Sequence, residues 1–239
     1  MIHSAFYNLP VLITGGCGFI GSHLAEQLVT LGAKVTILDN LSSGSLGNIA
    51  HIQDHITFIN ASITDKKACL DATHGIKLVF HFAALVSVQE SIQSPVLCHD
   101  VNVNGLFNIL EASRTNNVQR IVFSSSAAVY GDTSSVVSES YPCNPTSPYG
   151  FTKRMGELLC QQYSTTYGIE TIIMRYFNVW GPRQNTKGSY AAVVALFTHH
   201  MSHNLPITIF GDGMQTRDFI HVNSVVQANL TLGSAHVPS

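Results

Sequence analysis

The sequence predicts an α/β fold built on a doubly wound parallel sheet. Through the first two-thirds of the 239 residues, short apolar runs alternate with longer helical patterns. The apolar runs lack strict in/out alternation, as strands covered on both faces do. A cluster of glycines directly follows the first run. Alternating β and α units then imply a parallel sheet with right-handed crossovers.

The candidate strands are Val11–Thr14, Lys34–Leu38, Ile56–Ile59, Leu78–His81, Arg120–Ser124 and Thr171–Arg175, each rich in Val, Ile and Phe. Between them, helices are expected at Ile20–Leu31, Lys66–Thr73, Pro95–Thr115 and Tyr149–Tyr167. In the third, Val96, Val103, Leu106, Phe107 and Leu110 recur at helical spacing; in the fourth, Met155, Leu158, Leu159 and Gln162 do. After about Asn178 the composition shifts. A polar loop, WGPRQNTKGSY, precedes a helix near Ala191–Met201, a strand near Ile207–Phe210 and a helix near Asn223–Leu232.

The composition narrows the function. The chain is 45% hydrophobic and 11% charged, the reverse of a disordered chain's balance. Its 12 Lys and Arg are outnumbered by 14 Asp and Glu, which argues against binding nucleic acid through bulk positive charge. No apolar run reaches the roughly 18 residues of a membrane span. The opening MIHSAFYNLP has no basic n-region and no apolar h-region, so a cytoplasmic protein is expected. The five cysteines are widely spaced without a C-x-x-C pair, and the 12 histidines show no ligand spacing. Reduced thiols and no metal are expected.

The glycine cluster is Gly15, Gly18 and Gly21 in a G-x-x-G-x-x-G spacing between an apolar strand and a helical run. Such glycines permit a tight turn, close approach of a pyrophosphate, and close packing of helix on strand. The anion then sits on the helix N-terminus. Asp39 ends the second strand region, where a carboxylate accepts hydrogen bonds from the adenosine ribose and repels a 2′-phosphate. No arginine precedes Arg114 to clamp such a phosphate, so NAD is the expected cofactor. The competing reading of Asp39 is a turn carboxylate that caps the next helix.

Tyr149 and Lys153 form Y-x-x-x-K, one helical turn apart on one face. A neighbouring ammonium stabilises a phenolate and lowers the tyrosine pKa from its ordinary value near 10. Such a tyrosine can take a proton from an alcohol while the carbon below gives up hydride. Ser126, at the carboxyl end of the Arg120–Ser124 strand, can hydrogen-bond the same hydroxyl.

With His81-Phe82-Ala83-Ala84, SSSAAVYG, YGFTK and RYFNVWGPRQ added, the chain resembles the extended short-chain dehydrogenase/reductase family along essentially its entire length. Asp39-Asn40 with Ser42-Ser43-Gly44, the run Gly188–Val194 and GDGMQTRDFIHV at Gly211–Val222 bring it nearest the nucleotide-sugar 4-epimerases, of the UDP-N-acetylglucosamine 4-epimerase type. The resemblance implies a Rossmann domain over 1–178 and a small, incomplete substrate lobe over 179–239, since family members continue past the position equivalent to Ser239. Ser126, Tyr149 and Lys153 would be catalytic. Gly15, Gly18, Phe19, Ile20, Asp39, Asn40, Ser43, Gly44, Ile63, Phe82, Ala83, Ala84, Asn102 and Phe177 would join Tyr149 and Lys153 around NAD. Ser87, Ser126, Asn178 and Ala192 would face a UDP-sugar, and Arg217 would grip its diphosphate, with an ion pair to Asp218 as the alternative. A homodimer through the Pro95–Thr115 and Tyr149–Tyr167 helices is also implied.

The implied reaction oxidises the sugar at C4 and reduces the 4-keto sugar from its other face. Ser126 is followed by Ala127-Ala128, where 4,6-dehydratases carry an acid, so dehydration is not expected. Ser62 stands where relatives carry an Asp at the adenine, and Val86 where UDP-glucose 4-epimerases carry a Lys. A non-catalytic NAD-binding protein and a related reductase or decarboxylase remain as alternatives.

Overall fold

Six parallel strands form the central sheet: β1 (Pro10–Thr14), β2 (Lys34–Asp39), β3 (Ile56–Asn60), β4 (Leu78–His81), β5 (Arg120–Ser126) and β6 (Glu170–Tyr176), in the order β3-β2-β1-β4-β5-β6. The computed structural model describes residues 2–133, 136–185, 193–209 and 211–234. In the register of the two central pairs, Val11 lies opposite Val35 on one side and Leu78 on the other. The strand order reverses between β1 and β4, and that switch point opens a crevice beyond their carboxyl ends.

Side chains alternate across the sheet and feed two apolar layers. Val11 and Ile13 join Leu24 and Leu28 of α2 (Phe19–Thr30), with α1 (Ile2–Phe6) contributing Phe6. Leu12 and Val79 face the other way, toward Leu106, Ile109 and Leu110 of α6 (Gly105–Thr115) and Cys160 and Tyr163 of α7 (Pro148–Tyr167). The helix α3 (Lys66–Ala72) is started by Asp65, whose carboxylate accepts from the Lys67 and Ala68 amides. Ser147 caps α7 by accepting from Gly150 N, Pro148 presets its first turn, and Gly168 ends it in the left-handed region at φ 73°.

The span 95–115 is more broken than its periodicity predicts. It consists of α5 (Pro95–His99), a π turn (Asp100–Asn104) and α6, preceded by a short unpredicted helix, α4 (Val88–Gln93). Two local constraints accompany the π turn. The Asn102 amide is drawn to the backbone of Leu85, and Gly105 lies so close to Ile63 that a Cβ would sit 2.6 Å from Ile63 Cδ1.

The C-terminal third also differs. Ile207–Ile209 are exposed and form no strand, and Phe210 lies outside the described residues. The small sheet here pairs β7 (Asn178–Trp180) with β8 (Phe219–His221) in parallel. Ile207–Ile209 have apolar character, but among the described residues no strand pairs with them. The expected helix from Ala191 is α8 (Val193–Ser202), with Ala191 itself outside the described residues.

The last helix, α9 (Val222–Ser234), follows the expected boundary at 178 yet returns to the Rossmann layer. Val222, Val226 and Leu230 enter the α2 core, and Asn229 is hydrogen-bonded to the Tyr176 hydroxyl at the end of β6. Arg120 donates to the carbonyls of Leu232 and Gly233 and so caps the end of α9. The loop after β7 is clipped to α2 by an Arg183–Glu26 ion pair at 2.6 Å and by His23 against Pro182 O.

Candidate active site

The crevice floor is built from the carboxyl ends of β1 and β4. Thr14 is fully buried; its Oγ1 accepts from Ala83 N at 3.3 Å and is hydrogen-bonded to His81 Nδ1 at 2.9 Å. Burial, with the nearby Lys153 ammonium, holds His81 down to about 3, so the imidazole is neutral.

The glycine loop is shaped by contacts that no side chain tolerates. Gly15 sits at φ +71°, and a Cβ there would meet Ala83 N at 2.7 Å. A Cβ on Gly21 would lie 2.3 Å from Gly15 O. Gly18 leads into α2 with no side-chain cap, leaving first-turn amides at Phe19 and Ile20 for an anion. Asp39 is 7% exposed and accepts from Cys17 N at 2.9 Å through one oxygen and from Leu41 N at 2.8 Å through the other. Asp39 caps no helix: the next one, at Leu46–Asn48, is capped by Ser45, and Asp39 instead ties its own turn to the glycine loop, each oxygen accepting one amide and keeping lone pairs free. Gly44 packs against the glycine loop, where a Cβ would touch Cys17 at 2.9 Å; Asn40 folds its own turn by accepting from Ser42 N, and Ser43 is exposed beside it. Uncapped amides, a buried carboxylate and a close-packed glycine turn fit a dinucleotide.

The three candidate catalytic residues come together at β5 and α7. Lys153 Nζ donates to Ser124 O at 2.7 Å and lies 5.8 Å from the Tyr149 ring centre. Burial pulls this ammonium down to about 8. Burial also raises the Tyr149 phenol, against the pull of its hydrogen bond with Ser126. The downward shift expected at Tyr149 from Lys153 is therefore not realised in the protein alone: burial dominates, and the opposing pull comes from Ser126. Ser126 Oγ also accepts from Ala128 N at 3.1 Å.

The other expected residues are placed less uniformly. Phe82 stacks on Tyr176 at 6.5 Å, and the Phe177 ring lies 6.5 Å from that of Tyr130. Ala84 follows Ala83 in the partly buried loop after β4. Ile63 is buried against Gly105, and its carbonyl accepts from Asn108. Asn102 commits its amide to Leu85 N, Leu85 O and Thr152 Oγ1, so it braces the loop after β4. Ser87 caps α4, whose Ser91 Oγ accepts from Tyr149 N at 3.1 Å. Asn178 donates to Asp218 O at 2.8 Å. Arg217 is exposed, donating to Thr216 O, and no ion pair joins it to Asp218 among the described residues. Ala192 lies outside them. Ser62 forms a short turn with Thr64.

Sequence reasoning missed Thr14, His81 and a buried cluster behind Ser126: Ser125, Glu157 and Arg175. One signal pointed to the last group, since Glu157 continues the Tyr149–Lys153 face by one more turn. The five cysteines are free thiols. Among the described residues no cluster could hold a metal, and no helix is long and apolar enough to cross a membrane.

A dinucleotide crevice with a Tyr–Lys–Ser set at its edge defines an enzyme that moves hydride to and from an alcohol carbon. More narrowly, the chain belongs to the NAD dependent epimerase/dehydratase family, which matches residues 11–237. NAD is its cofactor. It is 38% identical over 230 residues to the UDP-glucose 4-epimerase of Mycolicibacterium smegmatis, covering 94% of this chain and 73% of that protein. Its structure matches the UDP-N-acetylglucosamine 4-epimerase from Methanobrevibacter ruminantium in complex with UDP-N-acetylmuramic acid, with a TM-score of 0.91, 37% identity, and coverage of 95% and 73%. The UDP-glucose 4-epimerase of Thermus thermophilus in complex with NAD gives a TM-score of 0.87 at 35% identity, covering 94% of this chain and 74% of that one.

Proposed function

We propose that the protein interconverts UDP-sugars at C4 through a 4-keto intermediate. The observation that carries this reading is the Tyr149–Lys153–Ser126 set on the rim of the dinucleotide crevice. NAD, when bound, accepts and later returns the hydrogen of C4 with its electron pair. Tyr149 takes the 4-hydroxyl proton, Ser126 holds that hydroxyl, and Lys153 stabilises the phenolate. The same tyrosine then returns the proton to the 4-keto oxygen as the opposite configuration forms. Ala127 and Ala128 follow Ser126, so no side chain there supplies an acid to expel water, and this favours epimerisation over dehydration.

In this reading Gly15, Gly18, Phe19 and Ile20 hold the pyrophosphate and Asp39 the adenosine ribose, while Phe82, Ala83 and Phe177 line the nicotinamide end. Ser87 and Asn178 face the sugar, and Arg217 meets the diphosphate by swinging from its exposed position. With α9 counted to the dinucleotide-binding layer, residues 179–221 begin the substrate lobe. Val86 at the site favours an N-acetylhexosamine substrate. Five free thiols support a cytoplasmic setting.

A homodimer is part of the proposal. Leu97, Phe107, Phe151, Met155 and Leu158 are exposed on α5, α6 and α7, whereas Ile109 and Leu159 pack into the core. An apolar face of this kind marks a protein contact. The functional test is incubation with UDP-N-acetylglucosamine and UDP-glucose, with the 4-epimers followed by proton NMR. Epimer formation that disappears in folded Tyr149→Phe supports the proposal. A folded, NAD-loaded protein inert toward both sugars overturns it.

A further inference from the structure

The Glu157 carboxylate is fully buried, and the side chains hydrogen-bonded to it come from β5, β6 and α7, the elements around the candidate catalytic set. Ser125 Oγ donates to it at 2.6 Å from β5, one residue before Ser126. Arg175 donates through Nε and Nη2, both at 2.8 Å, from β6, two residues before Phe177. Arg154 adds a bond at 2.8 Å from α7 itself. Burial acts to raise the Glu157 carboxyl, but the bonds from Arg175, Ser125 and Arg154 together hold it below the ordinary carboxylate range. The residue is therefore an anion in the protein interior, fixed by a forked guanidinium grip.

Its placement on α7 follows a simple periodicity. Tyr149, Lys153 and Glu157 lie at i, i+4 and i+8, and each engages one of three successive residues of β5: Ser126, Ser124 and Ser125 respectively. The first two contacts are the candidate catalytic ones. The third has no place in the chemistry, yet it fixes the register of the helix against the strand. Arg175 extends the same connection outward: its Nη1 donates to the Tyr130 hydroxyl at 3.0 Å, and the Tyr130 ring faces Phe177. Two charged arginines and a serine around one buried carboxylate are more than α7 packing requires, because burying an ion pair is weak support for stability and often inferior to apolar packing.

We propose that Glu157 is a positioning residue for the reaction, locking β5, β6 and α7 in the register that sets the Ser126–Tyr149–Lys153 spacing. This rests on the epimerase reading above. Glu157 touches neither substrate nor cofactor; it acts through Ser125 and Arg175.

The experiment compares wild type, Glu157→Gln, Ser125→Ala and the double variant Glu157→Gln/Arg175→Gln. Each is checked for folding by circular dichroism, with amide hydrogen exchange at 124–126 as a readout independent of turnover. Glu157→Gln should lower kcat at least tenfold with KM for the UDP-sugar within about twofold, and speed exchange at 124–126. Ser125→Ala, which removes one small arm, should lower kcat severalfold with the same KM behaviour. The double variant, which removes both opposing charges, should recover part of the kcat lost in Glu157→Gln. Wild-type kcat and wild-type exchange in Ser125→Ala and in folded Glu157→Gln would overturn the proposal. If Glu157→Gln does not fold, Ser125→Ala decides alone. A wild type inert toward every UDP-sugar overturns the epimerase reading instead, and the exchange measurement still decides whether Glu157 sets the register.

Discussion

Replacing Lys153 with methionine should abolish turnover and change how stability depends on pH. Lys153 is 3% exposed, and burial lowers its pKa from 10.5 to about 8. In the unfolded chain the same ammonium keeps its proton up to about 10.4. Between those values the unfolded state binds more protons than the folded state, so wild-type stability gains with rising pH across this window. At about 1.36 kcal/mol per pKa unit, the gain totals about 3 kcal/mol. Below pH 8 both states carry the charge and the contribution is flat. Methionine fills a similar volume without a charge, so the variant lacks this dependence. Two buried thiols, Cys17 and Cys69, are pushed up to about 12 by burial and nearby carboxylates without any part from Lys153, so they cancel in the difference. The assay is thermal melting of cofactor-free wild type and Lys153→Met from pH 7 to pH 10.5. The difference in Tm, wild type minus variant, should rise by roughly 6 to 12 °C, at about 2–4 °C per kcal/mol for a chain of this size. A difference that stays constant over this range would refute the reasoning.

Three further outcomes rest on the same geometry. His81 stays neutral in the fold, held near 3, while the unfolded imidazole takes a proton at about 6.5; stability should therefore fall as pH drops below 6.5, and His81→Gln should show a shallower acid limb in urea melts at pH 7 and pH 5. Gly21→Ala places a Cβ 2.3 Å from a backbone oxygen that cannot swing away, and should cost about 1–3 kcal/mol in urea unfolding and weaken NAD binding measured by fluorescence titration. Phe107→Asp, on the exposed face of α6, should turn a dimer into a monomer by light scattering while leaving NAD binding intact.

What the sequence revealed and what it hid have physical reasons. The six sheet strands were legible because β1 and β4 are flanked on both sides, so their residues are apolar in succession. The glycine turn was legible because only glycine fits beside Ala83 N and Gly15 O. The three-residue strands β7 and β8 were not, because three residues carry no period, and their pairing joins positions some 40 apart along the chain. Ile207–Ile209 looked more strand-like by composition but have no partner strand among the described residues. The π turn at Asp100–Asn104 was hidden because its accompanying contacts, Leu85 and Ile63, are tertiary. Of the candidate site, the Tyr149–Lys153 pair is a local spacing and was readable. The Thr14–His81 bond and the Glu157 cluster join residues from different elements, and only the fold brings them together.

The central claim is that hydrogen leaves C4 and returns to it within one closed site. The most direct measurement gives the enzyme UDP-glucose or UDP-N-acetylglucosamine deuterated at C4, in ordinary water, and follows label in the 4-epimer by mass spectrometry and NMR. The account predicts an epimer that retains deuterium at C4, with no net NADH released. Epimer carrying solvent hydrogen at C4 would contradict it.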